Sequence, residues 1–178
     1  GSPMDRNHWV EIEDTYLRLD KDLEAFFNYL DQTLGKGNYL FFLSADHGAA
    51  HVPGFMTENK LPGGLFDDAP VVKDLNDIFN EKYKIKKAII TAMNNQILFD
   101  RDEISKSKAD FEEIKAFTID YLKKQPGISN AVDLSKLSAS TLPEPIKKAI
   151  TNGYNARRSG DVYYILLPNY FDGTNTGT

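Results

Sequence analysis

Gly37-Asn38-Tyr39-Leu40-Phe41-Phe42-Leu43-Ser44-Ala45-Asp46-His47-Gly48 is the stretch on which the fold turns. Tyr39 to Leu43 is apolar without a break, too short for a helix, and bounded by glycine upstream. Such a run fits a strand buried on both faces, as in a parallel sheet. Just before it, Tyr16, Leu19, Leu23, Phe26, Phe27, Leu30 and Leu34 recur at steps of three and four, which predicts an amphipathic helix from Glu13 to Leu34. Asp14, Asp20, Lys21, Asp22 and Glu24 form its wet face, and Gly35 and Gly37 stop it. Helix, tight turn and buried strand are half of an α/β unit.

Downstream, His51 to Pro70 holds Pro53, Gly54, Pro62, Gly63 and Gly64 and reads as a long loop. Val71, Val72, Leu75, Ile78 and Phe79 predict a short helix. Ala88 to Thr91 and Gln96 to Phe99 predict two strands around an Asn94-Asn95 turn. A second long helix carries Phe111, Ile114, Phe117, Tyr121 and Leu122 and ends near Pro126-Gly127. Ile128 to Leu134 is a strand, Pro143 to Asn152 a helix closed by Gly153, and Val162 to Leu167 a final buried strand. The alternation after residue 85 suggests a small α+β lobe added to the parallel-sheet portion.

Composition narrows the function. The 178 residues carry 26 acidic side chains against 21 Lys plus Arg, a formal charge of -5. That balance argues against a phosphate-backbone binder, so no nucleic-acid partner is expected. The lack of cysteine excludes thiol catalysis, thiolate zinc fingers and iron–sulfur clusters. No stretch approaches the ~20 apolar residues of a membrane helix. Gly1-Ser2-Pro3-Met4 lacks signal-peptide character and reads as a tag remnant, and Gly173 to Thr178 is a small polar tail; both suggest an excised segment.

Chemistry concentrates after the apolar run. Ligands gather at the carboxyl ends of strands in open α/β sheets, and there Asp46 offers a carboxylate oxygen and His47 an imidazole nitrogen, both zinc donors. Gly48 would let a turn converge the two heads. Equally, an Asp at a strand end caps the next turn and a His is satisfied by backbone. The pattern alone leaves both open.

The run Glu13-Asp14-Thr15-Tyr16-Leu17-Arg18-Leu19-Asp20-Lys21-Asp22, followed by Gly37 to Gly48, resembles the alkaline phosphatase superfamily. Its nearest branch is the single-chain bacterial phosphatases related to type I phosphodiesterase/nucleotide pyrophosphatases. Asn155-Ala156-Arg157-Arg158-Ser159-Gly160-Asp161-Val162 is similar to the segment that leads into a later strand of that family. The resemblance implies an α/β fold, namely a partial alkaline-phosphatase-like parallel-sheet core with an inserted small α+β lobe. Four regions follow: tag and linker over 1–10, helix–strand core with the metal-ligand loop over 11–70, the lobe over 71–168, and a loop over 169–178.

The resemblance further implies two zinc ions, a Thr or Ser nucleophile outside this chain, and a small phosphate ester as substrate. Asp46 and His47 match the ligands that share one zinc with the nucleophile. A covalent phosphoenzyme, hydrolysed by water, is the implied mechanism, and a periplasmic or secreted location goes with it. Asp5 and His8 differ in spacing from the family's upstream ligand motif and read as linker. The segment alone is expected to be inactive and to bind zinc weakly or not at all. The competing class is a non-catalytic α/β interaction module with Asp46 and His47 structural. Sulfatase and phosphonate hydrolase relatives share the same strand-end ligands.

Other polar residues carry plainer expectations. His51 lies four residues after His47, but Val52-Pro53-Gly54 argues for loop rather than a helical ligand pair. Arg157 and Arg158 are expected in a solvated or salt-bridged turn, Asp67-Asp68 in a solvated turn, and Lys84, Lys86 and Lys87 as edge protection. Trp9, Phe55 and Phe66 are expected to pack.

Overall fold

A computed structural model describes residues 6–45, 48 and 51–172, with side chains from Val10 onward. The chain forms two compact units, Gly1–Ala50 and His51–Thr178.

The first unit is built on helix α1 (Arg6–Leu34), which opens earlier than the apolar periodicity requires. Gly35 ends it by turning left-handed at φ 87°, and its N–H donates to the Asp31 carbonyl at 3.1 Å. Asn38 Nδ2 then covers the Leu34 carbonyl at 3.0 Å, so two otherwise unpaired helix-end acceptors are satisfied. The chain returns along the helix: Tyr39 Oη donates to Asp31 Oδ1 at 2.9 Å, and the Phe41 ring stands edge-on to Phe27 at 4.8 Å.

Here the structure corrects the sequence expectation. Tyr39–Leu43 is not a buried strand: residues 39–45 have no regular structure, and Leu40, Phe42 and Leu43 are 89%, 83% and 70% exposed. A strand exists only through the ladder that satisfies its backbone groups, and no ladder partner reaches this run among the described residues.

In the second unit, Pro53 starts helix α2 (Pro53–Glu58) inside the stretch expected to be loop. Proline is suited to a first helical turn because its φ is preset and no N–H is lost, and here Pro53 and Met56 are both buried. Strand β1 (Gly64–Leu65) follows, then α3 (Asp68–Tyr83), β2 (Ile89–Met93), β3 (Gln96–Phe99) and the short α4 (Arg101–Ser105), which the sequence did not announce. After α5 (Phe111–Leu122) and β4 (Ile128–Asp133) come a 3-10 turn (Leu134–Ala139), α6 (Glu144–Gly153), β5 (Val162–Leu166) and β6 (Tyr170–Phe171).

The four-stranded sheet has the order β2-β3-β5-β4 and is antiparallel throughout. Asn94 and Asn95, at φ 52° and 62°, form the two-residue turn of the β2–β3 hairpin with Met93 opposite Gln96, the twist-matched geometry that both residues tolerate. Strand alternation sends Ala131, Val162 and Tyr164 into the main core with Leu75, Phe79, Ile97 and Ile114, and sends Val132, Tyr163 and Ile165 to the other face against Leu137, Leu142 and Ile150. Helices α3 and α5 thus cover one face, and the 3-10 turn with α6 covers the other.

The parallel pairing lies elsewhere, between β1 and β6, with Gly64 opposite Tyr170 and Leu65 opposite Phe171. The α/β class with a small α+β lobe therefore holds, and its parallel component is this pair, not residues 39–43.

Candidate functional site

Asp46 and His47, the ligands expected from the sequence, lie outside the described residues, as does Asp5; His8 falls in α1 with its side chain outside the description. Among the described residues no group of three or more His, Asp or Glu side chains converges to hold a metal. The donor types at Asp46 and His47 suit zinc, but two donors fall short of the three or four that a zinc site takes from its protein. His51 is exposed, precedes α2 rather than lying in it, and stacks on Phe55 at 4.9 Å. It is a loop residue, as its sequence context implied.

Three polar clusters in the second unit could be mistaken for chemistry. Lys115, 5% exposed at its side chain, donates from Nζ to Asp133 Oδ2 at 2.7 Å and pairs with Glu112 Oε1 at 2.7 Å. Burial alone pulls the ammonium pKa down, but the two carboxylates reverse this and leave it raised. Burial likewise pushes the Asp133 carboxyl up, and the bonds from Lys115 and Ser135 outweigh it and leave it lowered. Both groups stay charged near neutrality, so neither is poised to move a proton.

Asp161 is the second. Its carboxylate accepts from the Phe99 N–H at 3.1 Å and pairs with Arg101, whose guanidinium also lies over the Phe111 ring at 4.7 Å. The Asp161 N–H donates to the Ile97 carbonyl at 2.8 Å. This residue ties the start of β5 to the end of β3. Sequence reasoning missed it; the usable signal was a lone acid between glycine and an apolar run.

Third, the buried Tyr164 donates from Oη to Asp68 Oδ2 at 3.1 Å. Burial, then the Asp68 charge, pushes the Tyr164 phenol up. Burial also raises Asp68, against the lowering effect of the Tyr164 bond and with Asp172 and Asp67 adding to the rise. Asp67 and Asp68 are therefore not the solvated turn expected: Asp67 caps α3 by accepting from the Ala69 N–H at 3.0 Å.

The remaining candidates are structural. Arg157 and Arg158 sit exposed in a turn that Asn155 closes, its Oδ1 accepting from the Arg157 N–H at 3.0 Å. Lys86 and Lys87 are exposed beside edge strand β2. Phe66 is buried against Tyr164 at 5.3 Å; the Trp9 side chain lies outside the description. A cavity of about 200 Å³ between α6 and β5 is lined by Gln96, Ile150, Tyr154, Ser159 and Tyr163. It is smaller than ordinary ligand pockets, and two of its polar walls are engaged: Gly160 N–H donates to Gln96 Oε1 at 2.7 Å and Asn155 N–H to Ser159 Oγ at 3.0 Å.

Comparison with known proteins supplies what the described side chains do not. The profile of a family described as type I phosphodiesterase / nucleotide pyrophosphatase matches residues 6–177. Over 169 residues the chain is 56% identical to alkaline phosphatase PhoV of Synechococcus elongatus, covering 95% of this chain and 30% of that protein. It is 45% identical over 161 residues to alkaline phosphatase PafA of Elizabethkingia meningoseptica, covering 90% and 29%. A protein of Myroides odoratus named a calcium-transporting ATPase is 42% identical over 168 residues, covering 94% and 31%. The crystal structure of wild-type PafA superposes with a TM-score of 0.86 at 45% identity, over 92% of this chain and 31% of that one. The chain thus spans about 30% of the length of the curated relatives it matches.

Proposed function

The chain belongs to the type I phosphodiesterase/nucleotide pyrophosphatase family, and from that membership we propose that it is part of a metal-dependent phosphoric ester hydrolase of the alkaline phosphatase type. The observation that carries this is the 56% identity to PhoV across 95% of the chain, including the segment that ends in Asp46-His47. The name of the Myroides relative also denotes hydrolysis at phosphorus, of an anhydride. No helix among the described residues is long and apolar enough to cross a membrane.

Within this proposal Asp46 contributes a carboxylate oxygen and His47 a neutral imidazole nitrogen to one zinc. Residues 11–70 belong to the catalytic core, and 71–168 form the lobe inserted in it. Bound zinc supplies Lewis-acid stabilisation of phosphoryl oxygens and acidifies a bound hydroxyl. The work of this chain is to orient the two donors; the Thr or Ser nucleophile and the other ligands come from outside it. A small phosphate ester is the substrate class, and a periplasmic or secreted location accompanies it.

By itself the 178-residue chain is then an incomplete site. Purified, it is expected to turn over no p-nitrophenyl phosphate and to retain no stoichiometric zinc after dialysis. Turnover above background, or one tightly held zinc per chain, contradicts the assignment of the missing ligands and nucleophile to other sequence.

A further inference from the structure

Helix α6 covers one face of the four-stranded sheet yet buries none of its own residues, and no side chain caps its first turn. Cavities of about 200 and 370 Å³ lie along it, both lined by Ala149, Ile150 and Tyr163. Its last turn closes loosely: Tyr154 is extended at ψ 132°, and its N–H reaches the Thr151 carbonyl at 3.3 Å. A helix end held by so few buried contacts opens locally, well below the free energy of global unfolding.

That end carries the single Asn-Gly pair of the sequence, Asn152-Gly153. Both residues are exposed, and a β-carbon built on Gly153 meets nothing within 4 Å. Elsewhere asparagine side chains are tied down: those of Asn38, Asn59, Asn76, Asn130, Asn155 and Asn169 all hold hydrogen bonds to backbone. Asn152 holds none among the described residues, so its side-chain amide is free to rotate. Asn28, Asn80 and Asn94 share that freedom, but they precede Tyr29, Glu81 and Asn95, whose side chains crowd the following backbone nitrogen. Glycine leaves that nitrogen open and the backbone around it free to turn.

We propose that Asn152 is a modification site: it deamidates spontaneously through a cyclic imide, gated by opening of the last turn of α6. The Gly153 amide nitrogen gives up its proton and attacks Cγ of Asn152. The bond from Cγ to the side-chain nitrogen breaks, and that nitrogen takes up a proton and leaves as ammonia. Water then opens the imide at one carbonyl or the other, giving isoaspartate or aspartate, and no oxidant, reductant or cofactor enters. Either product places a carboxylate at the C-terminal end of α6, where the helix dipole is already negative. Isoaspartate also adds a carbon to the backbone, which the helical repeat does not accommodate. Conversion therefore loosens the helix that walls both cavities.

Peptide mapping of the 178-residue chain, incubated folded and separately in urea, tests this by the mass gained when OH replaces NH2 and by isoaspartate methylation. In the folded chain Asn152 should convert within about 10-fold of its rate in urea, and at least about 10-fold faster than Asn28, Asn80 or Asn94. Gly153→Ala, which meets no steric obstacle and favours helix, should slow the conversion by about 10-fold or more. Folding that slows Asn152 by more than about 10-fold overturns the proposal, because α6 would then hold the pair closed. Conversion no faster than at the other three asparagines, or unchanged by Gly153→Ala, overturns it as well.

Discussion

A β-carbon on Gly127 would stand 2.7 Å from Cδ1 of Tyr170, and one on Gly64 would stand 2.9 Å from Cε1 of the same ring. The ring of the β6 residue thus lies against two glycines, one before β4 and one in β1. Gly127 is also left-handed, at φ 86°, where a side chain is strained. Gly127→Ala should destabilise the second unit by about 1–3 kcal/mol, read by urea unfolding. Combining it with Tyr170→Ala should return part of that loss, because the clash has only one partner.

Asp161 and Arg101 should contribute unequally although they are paired. Asp161→Ala leaves the Phe99 N–H without its acceptor inside the core, at a cost of about 1–3 kcal/mol. Arg101 is 67% exposed at its side chain, so Arg101→Ala should cost less than about 1 kcal/mol. Denaturant midpoints of the two variants decide this; equal losses would mean that the ion pair, not the backbone bond, carries the effect.

The Lys115–Asp133 pair gives a pH signature. Asp133 is held below its ordinary carboxyl range, so its share of stability is present above the unfolded pKa of about 3.9 and lost as pH falls through the lower folded value. Lys115 is held above its ordinary range, so its share is present below about 10.4 and lost as pH rises through the higher folded value. The stability difference between the native chain and Lys115→Met should be largest near neutral pH and shrink as pH falls through the carboxyl range of Asp133. At neutral pH it should be about 3 kcal/mol, since Asp133 keeps only the more distant Lys136 ammonium, 3.9 Å away.

Much of the second unit was legible because its signals are local. Asn94-Asn95 between two short apolar runs specified a hairpin, and the spacing of Phe111, Ile114, Phe117 and Tyr121 specified α5. Helix α2 was hidden because Pro53 and Gly54 carry loop statistics, while its stability comes from burying Pro53 and Met56. Asp161 was hidden for a different reason: its partners lie about sixty residues upstream, at Phe99 and Arg101. Residues 39–43 were read as a strand buried on both faces, and the structure gives an exposed segment instead, because an apolar pattern does not by itself provide the strands that would pair with it. The metal donors were legible as types and as a position after that segment, not as a geometry.

The most direct test of the functional proposal is phosphatase activity, with and without Asp46, in a chimera in which this chain replaces the matched 169-residue segment of PhoV. The unsubstituted chimera should hydrolyse p-nitrophenyl phosphate, and Asp46→Ala and His47→Ala should each lower kcat/KM by roughly 100-fold or more, the scale on which removing one transition-state contact acts, while leaving the unfolding midpoint near that of the parent. Each should also release zinc on dialysis. An active chimera whose hydrolysis and zinc content are unchanged by Asp46→Ala would contradict the assignment of this segment to the catalytic core.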